Sequence, residues 1–233
     1  MSLSHRHLPY EIDPETNRFE FYENYWKQVG CDLLRKHLPP AGQTVLDYGC
    51  GRGEALEIFG KAGYQVTGTD ADEKCVEISR RHGAATLLNV ADPLGQFGVG
   101  SFDVVVCFHV LEHVENPKEV LNTFRDMARN YVLLAVPNLR VLINFFKREI
   151  DIRGCNEGHL QSWDHWHLRT LAEKHCRLAL EDWGFDATIL PIFNRFVPKL
   201  LGQRAAIWLE TGPFLRLLPF HCNSVIALLR PVK

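Results

Sequence analysis

A doubly wound α/β fold with a mostly parallel sheet is what this sequence predicts, and three observations lead to it. Short runs rich in valine and leucine recur, each bounded by turn residues. Stretches with three- and four-residue apolar spacing alternate with them. A glycine turn, Gly49-x-Gly51-x-Gly53, joins the first such run to the helical pattern after it. Near-continuous apolar strands are strands covered on both faces. In a chain that alternates strand and helix, that means a parallel sheet between two helical layers.

The elements follow in order. From Arg18 to Pro39, Phe19, Tyr22, Trp26, Val29, Leu33 and Leu34 recur at helical spacing, and Pro39 and Pro40 stop the helix. Strands are expected at Thr44–Gly49, Gln65–Asp70, Ala85–Val90, Phe102–Val110 and Tyr131–Asn138. Helices are expected between them at Arg52–Ala62, Glu73–His82 and Pro117–Arg129. Beyond Asn138, Val141–Phe146 is apolar and helical in pattern. The polar and aromatic stretch GCNEGHLQSWDHWHLRT reads as a loop leading into a helix over Leu168–Trp183, with Gly184 as its C-terminal stop. FDATILPI and SVIALLRPV read as the last two strands. Phe193–Asn223 between them is far longer than a hairpin loop, so it has structure of its own, read as a helical insertion. The domain division expected is an N-terminal helical segment, 1–38, and one sheet domain, 39–233, with the insertion at 193–223.

Composition narrows the function. A formal net charge of −2 carries no basic excess of the kind a nucleic-acid binder needs. No apolar stretch reaches the roughly 20 residues that span a bilayer, and the first residues lack a signal-peptide core. Seven scattered cysteines, an odd number, fit a reducing compartment better than a disulfide framework. A cytoplasmic protein without stable membrane insertion is expected.

The glycine turn sits where open α/β sheets bind ligands. A dinucleotide pyrophosphate fits it poorly. The spacing is one residue short of G-x-G-x-x-G, and Asp47 and Glu54 would stand beside the phosphates. A ligand with an ammonium group and a single carboxylate suits the charges better. Asp47 would orient the ammonium, and the free N–H groups of the turn would meet the rest. S-adenosylmethionine has that charge pattern. Asp70, at the end of the second strand, is placed to accept ribose hydroxyls, which that cofactor shares with NAD. As a plain turn or cap residue Asp70 would need no ligand.

Four segments then carry a resemblance: VLDYGCGRG, GTDAD, NVADP and FDVVVCFHVLEHVENP, in that order. Together they resemble the class I S-adenosylmethionine-dependent methyltransferases, and within them the ubiquinone-biosynthesis type of small-molecule O-methyltransferase. The likeness covers Thr44 to Asn138. It implies a Rossmann-like sheet of seven strands with the last one antiparallel. It also implies that Asp47, Gly49, Gly51 and Gly53 hold the methionine end and Asp70 the ribose, with Ala71 beside the adenine. Val90, Ala91 and Asp92 would read the adenine edge. Phe108 and His109 would line the cofactor near its sulfur. The product would be S-adenosylhomocysteine.

Histidine is the natural base for a hydroxyl nucleophile near neutral pH. His109 and His113 lie just past the fourth strand, and His159 leads the polar stretch after the fifth. All three are candidate catalytic residues, although Glu112 and His113 could equally serve only to stabilise their turn. Cys155, His159, His165 and His167 are close in sequence but lack an established zinc spacing, so no metal is expected. The aromatic N-terminal helix either packs on the sheet or, through Tyr22 and Tyr25, covers the cofactor. The insertion would cap the acceptor, meet a second subunit as a homodimer, or rest on a membrane surface. The expected function is methyl transfer to a small-molecule acceptor, at a hydroxyl oxygen. A catalytically silent cofactor-binding protein and an NAD-dependent oxidoreductase are the alternatives.

Overall fold

The structure, a computed structural model, describes residues 18–141 and 158–232. Helix α1 (Arg18–His37) leads into β1 (Thr44–Tyr48), α2 (Glu54–Lys61), β2 (Gln65–Asp70), α3 (Glu73–Ser79) and β3 (Ala84–Leu87). Then come α4 (Pro93–Phe97), β4 (Phe102–Phe108), a 3₁₀ turn at Leu111–His113, α5 (Pro117–Met127) and β5 (Ala128–Pro137). After residue 158 follow α6 (His165–Thr170), β6 (Leu178–Phe185), α7 (Pro191–Thr211), α8 (Pro213–Leu217) and β7 (Ser224–Pro231).

The seven strands form one sheet in the order β3-β2-β1-β4-β5-β7-β6. All pairs are parallel except those of β7, which runs antiparallel to β5 and β6. The expected sheet class, the helix before it and the helical insertion before the last strand are therefore all present. Strand order reverses between β1 and β4. The crevice at the carboxyl ends of those two strands is where such sheets bind ligands.

The two-residue period of the strands sorts the core into two layers. Val105 and Cys107 of β4, Val132 and Leu134 of β5, and Val225 and Ala227 of β7 pack under Leu121, Phe124 and Met127 of α5. Their alternates, Val104, Val106, Leu133, Ala135, Ile226 and Leu228, pack under Leu33 and Leu34 of α1 and Ile58 and Phe59 of α2. Each of these core side chains is at most 3% exposed, as two-sided burial requires.

Helix α4 was not expected, β3 ends at Leu87 rather than Val90, β5 begins at Ala128 rather than Tyr131, and the largest departure comes after residue 165. The helix expected over Leu168–Trp183 runs as α6 and then a π-helical turn, Leu171–His175, and ends there. Arg177 takes a left-handed φ of 53° and turns the chain into β6. The strand expected at FDATILPI thus lies earlier, at Leu178–Phe185. Gly184 is not a helix stop. A Cβ there would lie 3.2 Å from both Ile226 and Val29, so the glycine lets α1 pack closely over β6 and β7. Gly184→Ala should cost about 1–3 kcal/mol by overpacking, read as a lowered midpoint in urea.

The helix expected at Val141–Phe146 falls almost wholly outside the described residues. Helix α7 is broken at Gly202, which has φ 84° and ψ 168°. Tyr22 and Tyr25 do not cover the cofactor crevice. With Phe21 they pack against Ala187, Ile189 and Ile207, and so fasten α1 to the insertion.

Candidate active site

Asp47 is the fourth residue of central strand β1, flanked by Gly68 of β2 and Val106 of β4. That position buries its carboxyl, and Oδ2 has no hydrogen-bond partner among the described residues. Burial pushes its pKa up to about 7; Lys27 opposes the rise, while Glu54 and Asp70 add to it. A buried, unsatisfied carboxylate beside a ligand-binding crevice is a socket for a cation.

The three glycines after it have different tasks. A Cβ on Gly49 would lie 2.3 Å from the Val110 side chain, and one on Gly53 would lie 2.9 Å from the Ser79 backbone. These two allow close packing. A Cβ on Gly51 would meet nothing within 4 Å, so this residue borders open space and leaves room for a ligand. Four of the turn's N–H groups, however, are already taken. Gly49 and Cys50 donate to the Thr69 carbonyl, Gly53 to the Cys50 carbonyl, and Gly51 to Asp70 Oδ2 at 2.8 Å. This corrects the expectation that free amides would meet the ligand. The turn offers a shape and a buried anion rather than a nest of donors. Lys27 of α1 brings a cation to the glycine turn: its Nζ lies 3.3 Å from Glu54 and sits over the Trp26 ring.

Asp70 ends β2. Besides Gly51 it accepts the Asp72 N–H at 2.9 Å, so it fixes the turn across from it. Ala71, Val90 and Ala91 are exposed beyond the ends of β2 and β3. Asp92 caps α4 by accepting the Gly95 N–H at 2.8 Å. Phe108 sends its ring into the core, edge-on to Trp26 and against Gly30, where a Cβ would lie 2.8 Å away.

His109 follows with a left-handed φ of 53°, a conformation that non-glycine residues adopt mainly where the surroundings impose it. Its Nε2 lies 3.0 Å from Ser224 Oγ, and its ring lies 4.3 Å from the Trp26 ring. The Ser224 N–H in turn donates to buried Asp186 at 3.0 Å. Burial raises the Asp186 pKa to about 6 against the hydrogen bonds from Ser224 and Ala187.

The 3₁₀ turn after β4 buries Glu112 to 1% exposure. Neither of its carboxylate oxygens has a hydrogen-bond partner among the described residues. His109 Nδ1 lies 3.5 Å and His113 Nε2 4.0 Å from Oε1. The Glu112 carbonyl accepts the N–H groups of Leu160 and Gln161, which ties the segment after residue 158 to this turn. That tie brings His159 to His113, with ring centroids 4.8 Å apart. His113 Nδ1 lies 2.9 Å from the Gly158 carbonyl. A carbonyl only accepts, so Nδ1 carries a hydrogen, and in the neutral ring the lone pair is on Nε2. Glu112, His113 and His159 each offer one ligand atom, all within 4.8 Å of one another, so the trio could hold a metal ion. Of the other residues weighed for zinc, His165 stacks on Phe220, His167 bonds Asp164, and Cys155 lies outside the described residues.

The structure thus gathers His109, His113 and His159 around Glu112, and sets Asp47, Gly51 and Asp70 around the glycine turn. Sequence reading missed Lys27, Trp26, Ser224 and Asp186. None of these follows a motif; each is delivered by packing of a distant element.

A seven-stranded sheet with β7 reversed, an orphaned carboxylate under a glycine turn and an acid ending β2 thus meet at the carboxyl edge of the sheet. The chain belongs to the family described as methyltransferase domain, whose model matches residues 6–183. Among curated proteins it is similar to the ubiquinone biosynthesis O-methyltransferase of Shewanella halifaxensis, 37% identical over 125 residues, covering 51% of this chain and 50% of that protein. The Bordetella pertussis protein of the same name is 39% identical over 95 residues, 38% of this chain and 39% of the relative. The chain therefore spans half or less of the curated relatives it matches. Among solved structures, magnesium protoporphyrin IX methyltransferase from Synechocystis with bound S-adenosylhomocysteine superposes with a TM-score of 0.62 at 16% identity, covering 96% of this chain and 91% of the other. An S-adenosylmethionine-dependent methyltransferase from Archaeoglobus fulgidus gives 0.60 at 19%, covering 92% and 100%. Among the described residues no helix is long and apolar enough to cross a membrane.

Proposed function

We propose that this chain transfers the methyl group of S-adenosylmethionine to a hydroxyl oxygen of a small molecule, with His113 taking the acceptor's proton. The observation that carries this is Glu112, buried with both oxygens unbonded beside His109 and His113.

The residues around the glycine turn fit the donor. Asp47 offers a desolvated carboxylate to its ammonium, Lys27 a cation to its carboxylate, and Asp70 an acceptor to its ribose. When bound, the donor supplies an electrophilic methyl on a sulfonium. Its charge disperses during transfer, so the protein needs no oxyanion hole. Alignment of the two reactants can lower the barrier by about 7–11 kcal/mol. Proton removal from a hydroxyl adds about 10²–10⁴ in rate. His113 Nε2 has the tautomer for that step, and Glu112 stands ready to stabilise the imidazolium that results. His159 is the alternative base, its ring against that of His113. His109, bonded to Ser224 and covered by Trp26, forms the wall beside the transferring group.

The test is transfer of a labelled methyl group to a panel of phenols, catechols and sugars, alongside their amine counterparts. Labelled ethers are expected; labelling of amines alone would overturn the oxygen assignment. One observation favours a second reading, in which the Glu112, His113 and His159 trio holds a divalent cation that acidifies the hydroxyl. After dialysis against a chelator, a pure histidine base predicts turnover within about twofold of untreated enzyme. Loss of turnover with S-adenosylhomocysteine binding intact, restored by added Mg²⁺ or Zn²⁺, would favour the metal.

A further inference from the structure

A cavity of about 560 Å³ lies on the α5–α6 side of the sheet and shares no lining residue with the transfer site. Its walls include Arg140, His165, Trp166, Arg169, Trp183 and Phe220. Three facts distinguish it from a surface dimple. First, its walls are aromatic on several sides: His165 stacks on Phe220 at 4.2 Å and meets Trp183 edge-on, while Trp166, 58% exposed, stands at the rim. Second, the charges that line it are cationic only. Arg140 and Arg169 are bonded to Asp164 and Glu173, but neither acid is among the lining residues. Third, His165 is 7% exposed, and its Nδ1 has no hydrogen-bond partner among the described residues. Burial lowers its pKa, so the ring is neutral near pH 7, with one donor and one acceptor nitrogen. Buried polar atoms in folded proteins are nearly always bonded, so an orphan lining a cavity marks where a ligand atom belongs.

We propose that this cavity is a second ligand site, separate from the methyl-transfer site, that takes an aromatic carboxylate. The rings of Trp183, Phe220 and Trp166 supply the apolar walls for its aryl body. The guanidinium forks of Arg169 and Arg140 match a planar carboxylate. The unbonded nitrogen of His165 meets a polar substituent on the ring or the carboxylate itself.

The probe is 1-naphthoate, with 1-naphthalenemethanol as its uncharged counterpart. Both are titrated into the full chain by calorimetry and by tryptophan fluorescence. One saturable site for naphthoate is expected, with binding at least tenfold weaker for the alcohol. Arg169→Gln should weaken naphthoate at least tenfold, and Trp166→Ala should weaken it and remove much of the fluorescence change. Both positions are exposed enough for the variants to fold, which unchanged uptake of S-adenosylhomocysteine verifies. Naphthoate should bind equally well with S-adenosylhomocysteine present. The proposal is overturned by absence of saturable binding, by equal affinity for acid and alcohol, by an Arg169→Gln variant that binds as well as the parent, or by displacement with S-adenosylhomocysteine.

Discussion

Asp47→Asn is expected to make the unliganded chain more stable at pH 8 while stripping it of affinity for S-adenosylhomocysteine. The two effects have one cause. Asp47 is buried without a partner for Oδ2, and its pKa is raised to about 7. An unfolded aspartate titrates near 3.9. A raised folded pKa means that the protonated form is favoured in the fold. The stabilisation is full below about pH 4 and is lost as pH climbs through about 7. Above that, the fold carries a buried charge that Lys27 offsets only in part, on the order of 2–4 kcal/mol against it. Asparagine removes that cost. At pH 8 the variant should melt several degrees above the parent, at roughly 2–4 °C per kcal/mol for a chain of this size. At pH 4–5 the two should converge. Binding goes the other way, because an ammonium brought to this site loses its counter-charge, which costs at least about 30-fold in affinity. Thermal scans at both pH values, together with calorimetry, check both halves. A variant less stable at pH 8 that still binds the nucleoside would refute the role given to Asp47.

The second large effect concerns turnover. His113→Ala should lower kcat by about 10²–10⁴ and leave S-adenosylhomocysteine affinity within a few-fold of the parent. Added imidazole should restore part of the lost rate, which a merely structural histidine would not show. Glu112→Gln keeps the shape of the turn but removes the charge facing His113. It should lower kcat more than it changes the KM for the acceptor, since the carboxylate acts on the charged histidine formed during transfer. Steady-state kinetics with a methyl-accepting phenol measure both. Full activity in His113→Ala and loss of it in His159→Ala would move the base to the neighbouring ring.

Much of this was legible in the sequence because it is local. The strand–glycine turn–helix unit around Asp47 and Gly51, and the strand-end acid Asp70, are contiguous patterns with one geometric solution. Strands β1, β4 and β7 are apolar runs whose burial on both faces leaves no competing period. Strand β6 was obscured. Leu178, Leu180, Trp183 and Phe185 suit either period, and Gly184 imitates a helix stop although it serves the packing of α1 against Ile226. The missing amide donors were also hidden. Only the paired register of β1 and β2 shows that Thr69 and Asp70 already occupy the turn's N–H groups. Lys27, Trp26, Ser224 and Asp186 reach the site through tertiary packing. A lysine among the aromatics of α1, or a serine opening the last strand, has no sequence mark that distinguishes it from a surface or core residue. The pairing of His113 with His159 depends on the Glu112 carbonyl bonding Leu160 and Gln161, a contact that spacing cannot foretell.

The most direct measurement is the affinity of the parent chain for S-adenosylhomocysteine by calorimetry between pH 5.5 and 7.5. If Asp47 must give up its proton to receive the ammonium, affinity should fall by up to about tenfold for each pH unit below 7, with net proton release on binding there. Asp47→Asn should show weak binding without that slope. An affinity that stays flat across the range in the parent, or the same slope in the asparagine variant, would contradict it.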